Sequence, residues 1–463
     1  MSERLLSGSA RLDGVLGGGF PANGINLIIG RPGSGKTILA QQYMFHNASS
    51  LRPALYLTTV SEPLEKILRY GQSLDFFDQP AVGSSVIYED LGQQLNKEGL
   101  PGVLNQLTAL LRQHAPSVLV IDSFKALRAY AADDGVFRKF LHSLAGQLSV
   151  MSMTSFWIGE YNGVGTADEP EFAVADAIVS LSIEHSAERE SRVFQVLKLR
   201  GSAFISGKHA YRLSSAGLDI FPRLADSGEG NYEPSFDRTS SGVDLLDSML
   251  GDGFWRGSST LVAGPSGSGK TLLALHFAMA GARLGETAVF ATFQENPTQL
   301  ERVAKGFGWS LRAPGIELMY RPPIDLYLDE WVYDLLATVE RTNAKRVAID
   351  SLGDLRAACA DEMRFREYIY SLLQRCAHRD ISVAMTQEAS DLFGLTRLSE
   401  YGISHLSDNV VLLQFLRGDS EIKRAVTVLK TRASAHDPHI RQFAITPQGF
   451  ELGEPFVPEQ SLH

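Results

Sequence analysis

The chain contains the stretch Gly30-Arg31-Pro32-Gly33-Ser34-Gly35-Lys36-Thr37 and, further along, the related stretch Gly264-Pro265-Ser266-Gly267-Ser268-Gly269-Lys270-Thr271. Both fit the pattern G-x-x-x-x-G-K-[ST] of a phosphate-binding loop. An apolar run precedes each copy, and a helix-like run follows it. The glycines of such a loop let backbone N–H groups surround phosphate oxygens, and the next helix adds the positive end of its dipole. Two copies in the same context predict two nucleoside triphosphate sites.

Each motif also assigns roles to individual side chains. The motif lysine is expected to reach the β- and γ-phosphates, and the hydroxyl of the next threonine to bind Mg²⁺. Later in each half an apolar run ends in aspartate, which is the Walker B pattern of a carboxylate held near Mg²⁺ or its water. The residues concerned are Lys36 and Lys270 for the phosphates, and Thr37, Thr271, Asp122 and Asp350 for the metal.

The two halves resemble each other well beyond the phosphate-binding loops. Residues 12–20 match 246–254, residues 118–123 match 346–351, and residues 197–201 match 429–433, with nearly constant spacing. Such spacing indicates a duplicated domain, and a chain of 463 residues suits two domains. The predicted organisation is a first domain at 1–224, a polar linker at 225–233, a second domain at 234–453 and a tail at 454–463.

Within each half, short β-branched runs alternate with segments of helical periodicity. This alternation predicts an α/β fold, with a mostly parallel sheet covered by helices on both faces. Nucleotide is then expected at the carboxyl edge of the sheet. In the first half the predicted strands are 25–30, 54–59, 117–122, 153–158, 177–183 and 193–199, and the predicted helices include 36–48 and 102–114.

Composition restricts the classes of partner. The net charge of −10 argues against a surface for unspecific nucleic-acid binding, which needs a basic face. We find no signal peptide and no apolar stretch approaching the length of a membrane span, so we expect a cytoplasmic protein without a membrane partner. Cys359 and Cys376 lack a metal-binding pattern and are expected to be buried thiols.

A carboxylate that activates water usually follows the second strand of such a domain. In the second half Glu295 stands there, directly after Gln294. In the first half Ser61 occupies the matching position and Glu62 comes one residue later. A one-residue step on a strand turns the side chain to the other face. Glu62 is therefore either a displaced base or an exposed loop carboxylate.

A Lys-x-Arg pair occurs on a late strand of each half, as Lys198 with Arg200 and as Lys430 with Arg432. Alternate residues of a strand point to the same face, so each pair puts two cations together. They form either an anion site or an ordinary solvated edge. If they do not reach their own phosphate, they are candidates to act in trans on a neighbouring subunit, like an arginine finger.

Taken together, these motifs resemble the KaiC family of RecA-like ATPases. The resemblance runs from about residue 7 to residue 450 and rests on the doubled loops, residues 12–20, both Ile-Asp-Ser strands, the Lys-x-Arg pairs and residues 426–437. It implies two RecA-like P-loop domains that stack as two rings of a homohexamer, with ATP bound between subunits. It also implies slow ATP hydrolysis in the first ring, autokinase and autophosphatase activity in the second, and Lys-x-Arg pairs that reach the neighbour's nucleotide.

The chain departs from the family at residues that the resemblance makes catalytic. The family has paired glutamates after the second strand in both domains, whereas this chain has Val60-Ser61 and Gln294-Glu295. Gln294 replaces the family's base for protein phosphorylation, and glutamine cannot take a proton at neutral pH. The family's Ser-Thr phosphoacceptors align with Ser404 and His405. Ser404 is thus a candidate phosphoacceptor or a loop serine that hydrogen-bonds locally.

The sequence therefore predicts an ATP-binding protein with slow Mg²⁺-dependent hydrolysis at the second site, serine autokinase activity at Ser404 and a homohexameric double ring. One alternative is a non-catalytic switch, in which ATP holds the ring together and a protein partner docks on it to read its state. A second alternative is a DNA-acting RecA-like ATPase, against which the acidic charge argues.

Overall fold

The computed structural model describes residues 3–60, 63–161, 169–186, 189–224, 233–359, 361–389, 405–417 and 421–455. The chain divides into two compact units, Met1–Arg223 and Leu224–His463. Most of the predicted linker, 225–232, lies outside the described residues.

The first unit alternates strands with helices over most of its length. Its strands are β1 (Arg4–Leu5), β2 (Phe20–Pro21), β3 (Ile25–Gly30), β4 (Ala54–Thr58), β5 (Val86–Asp90), β6 (Val118–Asp122), β7 (Thr154–Gly159), β8 (Ala177–Ser186), β9 (Arg189–Leu199), β10 (His209–Ser214) and β11 (Gly217–Phe221). Its helices are α1 (Ala10–Val15), α2 (Lys36–Asn47), α3 (Leu64–Gly71), α4 (Gly92–His114), α5 (Asp134–Ser149) and α6 (Pro170–Val174). Short 3₁₀ turns occupy Gln79–Ala81 and Lys125–Tyr130.

The second unit repeats this order. Its strands are β12 (Arg238–Thr239), β13 (Phe254–Trp255), β14 (Ser259–Gly264), β15 (Ala288–Thr292), β16 (Ile316–Tyr320), β17 (Arg346–Asp350), β18 (Ser382–Glu388), β19 (Asn409–Arg417), β20 (Ile422–Thr431), β21 (Arg441–Thr446) and β22 (Gly449–Pro455). Its helices are α7 (Asp244–Met249), α8 (Lys270–Arg283), α9 (Pro297–Gly306), α10 (Leu328–Thr342), α11 (Leu352–Ala357) and α12 (Glu362–Ala377), with a 3₁₀ turn at Pro323–Asp325.

Each unit has one large sheet with the same strand arrangement. In the described part of the first unit, nine strands follow the order β11-β10-β9-β8-β3-β7-β6-β4-β5, parallel from β8 to β5 and antiparallel from β8 to β11. The second unit has the matching order β16-β15-β17-β18-β14-β19-β20-β21-β22, parallel from β16 to β19. The predicted fold class, two tandem RecA-like α/β domains, is confirmed.

Helices cover both faces of each parallel sheet. Along β3, Ile28 packs into one apolar cluster, whereas Leu27 and Ile29 pack into another on the opposite face. Along β14, Val262 and Leu261 likewise pack into two different apolar clusters. Burial on both faces explains why these strands are continuous apolar runs rather than alternating patterns. No helix among the described residues is long and apolar enough to cross a membrane.

The secondary-structure predictions for the first unit were incomplete at the sheet margins. All six predicted strands are present, but β5, β10 and β11 were not predicted. β5 is an edge strand whose residues are mostly half-buried, so it lacks the apolar run of the inner strands. The helix predicted at 102–114 belongs to α4, which begins at Gly92 and is interrupted by a left-handed Gly99 before Pro101.

Candidate nucleotide sites

In both units the phosphate-binding loop joins a buried strand to a helix. β3 ends at Gly30 and α2 begins at Lys36, while β14 ends at Gly264 and α8 begins at Lys270. The residue before each helix is a glycine in the left-handed region, and a Cβ on Gly35 would lie 2.8 Å from the methyl carbons of Leu213. The loop therefore needs glycine here, and it leads into a helix N-terminus suited to an anion.

The motif lysines occupy equivalent positions in the two loops. Lys36 Nζ donates to the carbonyl of Arg31 at 2.8 Å, and Lys270 Nζ donates to the carbonyl of Pro265 at 2.8 Å. Burial lowers the pKa of both lysines. Each ammonium group thus contacts the loop that its own motif forms.

A second carboxylate, which the sequence predictions did not include, acts on each lysine. Glu160 opposes the lowering of the Lys36 pKa, and Glu388 opposes it for Lys270. Glu160 directly follows β7, and Glu388 ends the matching strand β18. Their matching positions in the two repeats were the available signal.

The threonines and aspartates predicted for the metal come together in both units. Thr37 Oγ1 donates to Asp122 Oδ2 at 2.7 Å, and Thr271 Oγ1 donates to Asp350 Oδ2 at 2.8 Å. These oxygens are of the kind that Mg²⁺ prefers, and Mg²⁺ typically takes only one or two protein oxygens beside substrate phosphates. The described residues contain no group of three or more His, Cys, Asp or Glu side chains suited to a metal.

The surroundings of the two aspartates differ. In the first unit the Tyr56 hydroxyl also donates to Asp122 Oδ2, at 2.6 Å. In the second unit the matching residue of β15 is Phe290, and Thr386 of β18 donates to Asp350 Oδ1 instead. Burial raises the pKa of Asp350, although both hydroxyls and Lys270 oppose the shift.

Glu295 lies just beyond β15, close enough to Asp350 for their charges to interact. Burial, and then the charge of Asp350, raise the pKa of Glu295. Its Oε2 is buried and has no hydrogen-bond partner among the described residues. A carboxyl group with these properties is suited to general-base chemistry, which requires a pKa shifted toward the working pH.

Gln294 points away from this arrangement toward α11. Its side chain is exposed, and Nε2 donates to Asp354 Oδ1 at 2.9 Å. Ser351, directly after the Walker B aspartate, donates to the other oxygen of Asp354 at 2.7 Å. Gln294 therefore connects the end of β15 to the segment that follows β17. The other predicted residues at these positions, Ser61, Glu62 and Ser404, lie outside the described residues.

The first Lys-x-Arg pair lies at the sheet edge opposite its own phosphate loop. Leu199 pairs with Ala177 at the start of β8, whereas the loop follows the end of β3, which runs parallel to β8. Lys198 Nζ donates to the carbonyl of Phe172 at 2.8 Å. Arg200 donates to the carbonyl of Ala173 at 3.3 Å and pairs with Asp176 at 3.4 Å.

The second pair repeats this geometry. Lys430 Nζ donates to the carbonyl of Ser407 at 2.6 Å. Arg432 donates to the carbonyl of His405 at 3.0 Å and pairs with Asp408 at 3.4 Å. In both units burial and the neighbouring arginine lower the pKa of the lysine. Neither pair contacts the phosphate loop of its own unit within the described ranges.

Two arginines at the other ends of these strands were missed by the sequence predictions. Arg192 Nη1 donates to the carbonyl of Gly33 at 2.8 Å, and Arg424 donates to the carbonyl of Gly267 at 3.4 Å. They occupy matching positions on β9 and β20. The signal available in the sequence was an arginine at the same position near the start of each strand.

The first phosphate loop opens into a cavity of about 580 Å³. This volume is within the usual range for small-molecule and cofactor sites. Gly33, Lys36 and Thr37 of the loop line it, together with the apolar groups of Tyr70 and Leu213. The cavity can thus accommodate phosphates and a further organic group.

Comparison with known proteins agrees with this geometry. The family model described as the KaiC ATPase matches residues 6–225, 239–320 and 324–456. The chain belongs to the KaiC family of ATPases. The resemblance inferred from the sequence is therefore confirmed across nearly the whole chain.

Curated relatives align over almost their full length. The circadian clock oscillator protein KaiC of Picosynechococcus sp. is 28% identical over 461 residues, covering 96% of this chain and 88% of the relative. The circadian clock protein KaiC3 of Synechocystis sp. is 29% identical over 471 residues, covering 98% and 92%. The KaiC protein of Thermosynechococcus vestitus is 27% identical over 459 residues, covering 96% and 88%.

Proposed function

We propose that the chain binds Mg·ATP at both phosphate loops and hydrolyses it slowly at the second, with Glu295 as the general base. The state of the Glu295 carboxyl group is the observation that supports this most directly. It is partly buried beside Asp350, its pKa is raised, and Oε2 has no hydrogen-bond partner in the described structure. Such a carboxylate can accept a proton from a water that attacks the γ-phosphate.

The metal would be held by the same residues in both units. Thr37 with Asp122, and Thr271 with Asp350, provide oxygens of the required type. Bound Mg²⁺ would neutralise charge on the β- and γ-phosphates. Lys36 and Lys270 would turn from their loop carbonyls to the phosphates, because an ammonium gains more from an anionic oxygen than from a neutral one.

The first site is proposed to hold nucleotide rather than to cleave it. The sequence has Ser61 where the second half has Glu295, and a serine hydroxyl is a far weaker base than a carboxylate at neutral pH. The loop, the lysine and the metal residues are nevertheless all retained. Bound ATP would then stabilise the folded and assembled form by mass action.

We further propose that the chain acts in the cytoplasm as a homohexamer, in which each Lys-x-Arg pair serves the nucleotide of the neighbouring subunit. The position of both pairs, at the sheet edge opposite their own loops, supports this role. A protein partner that docks on the ring would read its nucleotide state.

The proposal extends to slow autophosphorylation of Ser404. Gln294 cannot replace a glutamate as base, so the reaction would be much slower than hydrolysis. Incubation with γ-labelled ATP should label the natural chain and not Ser404→Ala. Absence of label in the natural chain would reject autokinase activity and leave the ATPase proposal intact.

The main experiment is the substitution Glu295→Gln, which keeps the shape of the side chain and removes the base. We expect ATP turnover to fall about a hundredfold or more, the usual contribution of a positioned base, while nucleotide binding is retained. Glu340→Gln, at an exposed position of α10, is the matched control for loss of one carboxylate and should keep normal turnover. Unchanged turnover in Glu295→Gln would show that the base is elsewhere.

A further inference from the structure

Tyr56 lies on β4 of the first unit, with its hydroxyl at the carboxylate assigned to the metal. The hydroxyl donates to Asp122 Oδ2 at 2.6 Å, and Thr37 Oγ1 donates to the same oxygen at 2.7 Å. The ring is fully buried and packs against Tyr88, with 5.1 Å between ring centroids. Burial raises the pKa of Tyr56 further above neutrality, so the phenol remains a proton donor.

In the second unit a different residue donates a hydroxyl hydrogen bond to the matching aspartate, Asp350. Phe290 occupies the position that matches Tyr56, so β15 offers no hydroxyl there. Thr386 of β18 supplies one instead and donates to Asp350 Oδ1. The first unit has Ile158 at the position that matches Thr386. In the described part of the chain, each unit thus provides a hydroxyl besides the P-loop threonine, from a different strand and to a different oxygen.

We propose that Tyr56 orients Asp122 for the Mg²⁺ of a nucleotide bound at the first phosphate loop, as a positioning residue. A carboxylate oxygen has about two lone-pair sites, and two hydroxyls occupy those of Oδ2. Rotation of the carboxylate would break both hydrogen bonds. Outer hydrogen-bond partners of this kind orient metal-binding groups, and their loss usually weakens metal affinity about 10- to 100-fold.

This inference rests on the proposed binding of Mg·ATP at the first loop, and it differs from a role in core packing. Tyr56→Phe keeps the buried ring and removes only the oxygen that contacts Asp122. Tyr88→Phe is a matched control, because the Tyr88 hydroxyl is also buried but has no hydrogen-bond partner in the described residues. Both substitutions delete one buried phenolic oxygen, and only one of them touches the metal-site carboxylate.

The experiment uses the full chain with Lys270→Ala, so that binding of a fluorescent ATP analogue reports the first loop. Binding is titrated with Mg²⁺ and repeated in EDTA. We expect Tyr56→Phe to raise the Mg²⁺ concentration for half-maximal binding about tenfold, with the affinity in EDTA unchanged. Tyr88→Phe should match the parent in both conditions.

The outcomes separate the inference from the proposed function. If the Lys270→Ala parent shows no Mg²⁺-dependent binding, the proposed function of the first site fails, and the role of Tyr56 fails with it. If the parent binds normally and Tyr56→Phe has the same Mg²⁺ midpoint, only the role of Tyr56 is rejected. Equal weakening with and without Mg²⁺ would also reject it, because that result indicates a structural effect.

Discussion

The two units have nearly identical phosphate loops and different surroundings for the Walker B carboxylate. In both, the loop lysine donates to a loop carbonyl and the loop threonine donates to the aspartate. The two units differ after the second strand of the predicted core, where the second unit has Glu295 and the first has Ser61 at the matching position. The duplicated domain thus has the residues assigned to nucleotide binding in both copies, and the candidate base for hydrolysis in one.

The largest effect should come from removing the cations that we assign to the neighbouring site. Lys430→Ala with Arg432→Ala should lower turnover about a thousandfold, the lower end for an arginine finger. Lys423→Ala, on the same strand, controls for loss of charge on β20. The matching double change at Lys198 and Arg200 should weaken nucleotide-dependent assembly more than turnover per assembled ring, measured by size and by phosphate release.

A mixing experiment decides whether these cations act in trans. Lys270→Ala subunits lack a working loop, and Lys430→Ala/Arg432→Ala subunits lack the cations. In rings mixed in equal amounts, about a quarter of the second sites join a working loop to a neighbour with working cations. Activity that neither variant has alone should therefore appear. A mixture as inactive as its components would place the cations in cis.

The next effect concerns stability at matching positions of β6 and β17. Arg346 is buried at 1% exposure and donates to Glu286 at 2.8 Å and to the carbonyls of Ser240 and Phe277. The first unit has Val118 there. Arg346→Val should lower the free energy of unfolding of the second unit by about 3 kcal/mol, because Glu286 and two carbonyls lose a partner.

Urea unfolding followed by tryptophan fluorescence measures this loss. Arg341→Ala is the control, because it removes an exposed ion pair with Glu317 on the same unit. That pair should contribute less than about 1 kcal/mol. Equal losses for the two variants would mean that the buried ion pair has no special role in the second unit.

A smaller difference between the units depends on pH. His276 of α8 donates through Nδ1 to the carbonyl of Gly242 at 3.2 Å and accepts through Nε2 from the Phe450 N–H at 3.0 Å. The ring is therefore neutral, and burial lowers its pKa to about 4. Gln42 takes the matching place in the first unit, where its amide, which does not titrate, donates to the carbonyl of Ser7 and accepts from the Leu218 N–H.

The direction of this pH dependence follows from the lowered pKa of His276. An unfolded chain binds a proton at His276 below about pH 6.5, whereas the folded unit does so only near pH 4. Neutral His276 therefore stabilises the folded unit fully above about pH 6.5, and this stabilisation is lost as the pH falls toward 4. Between pH 7 and pH 5 the free energy of unfolding should drop by about 2 kcal/mol from this group.

His276→Gln is the test, because it copies the first unit. Urea unfolding at pH 7 and pH 5 should show a smaller decrease for this variant than for the natural chain. If the decrease is the same in both, another group is responsible for the acid sensitivity of the second unit.

The sequence was sufficient for features that depend on contiguous residues. The phosphate loops, the aspartates that end β6 and β17, and the inner parallel strands each have a local pattern. The contacts of Tyr56 and Thr386 with those aspartates could not be predicted. The two residues are 66 positions apart in the first contact and 36 in the second, and no motif links them. The outer strands β10 and β11 were missed for a related reason, since they are defined by their pairing with each other and with β9.

The placement of the phosphate loop and the Lys-x-Arg pair at opposite edges of one sheet gives every unit a front and a back. A contact between the front of one copy and the back of the next is heterologous, so each copy uses two different surfaces. Such contacts close into a ring only if the rotation per subunit adds up to a full turn, and otherwise they continue as an open helical filament. The angle between successive copies, rather than the chemistry at any single site, would then determine how many nucleotides one assembly holds.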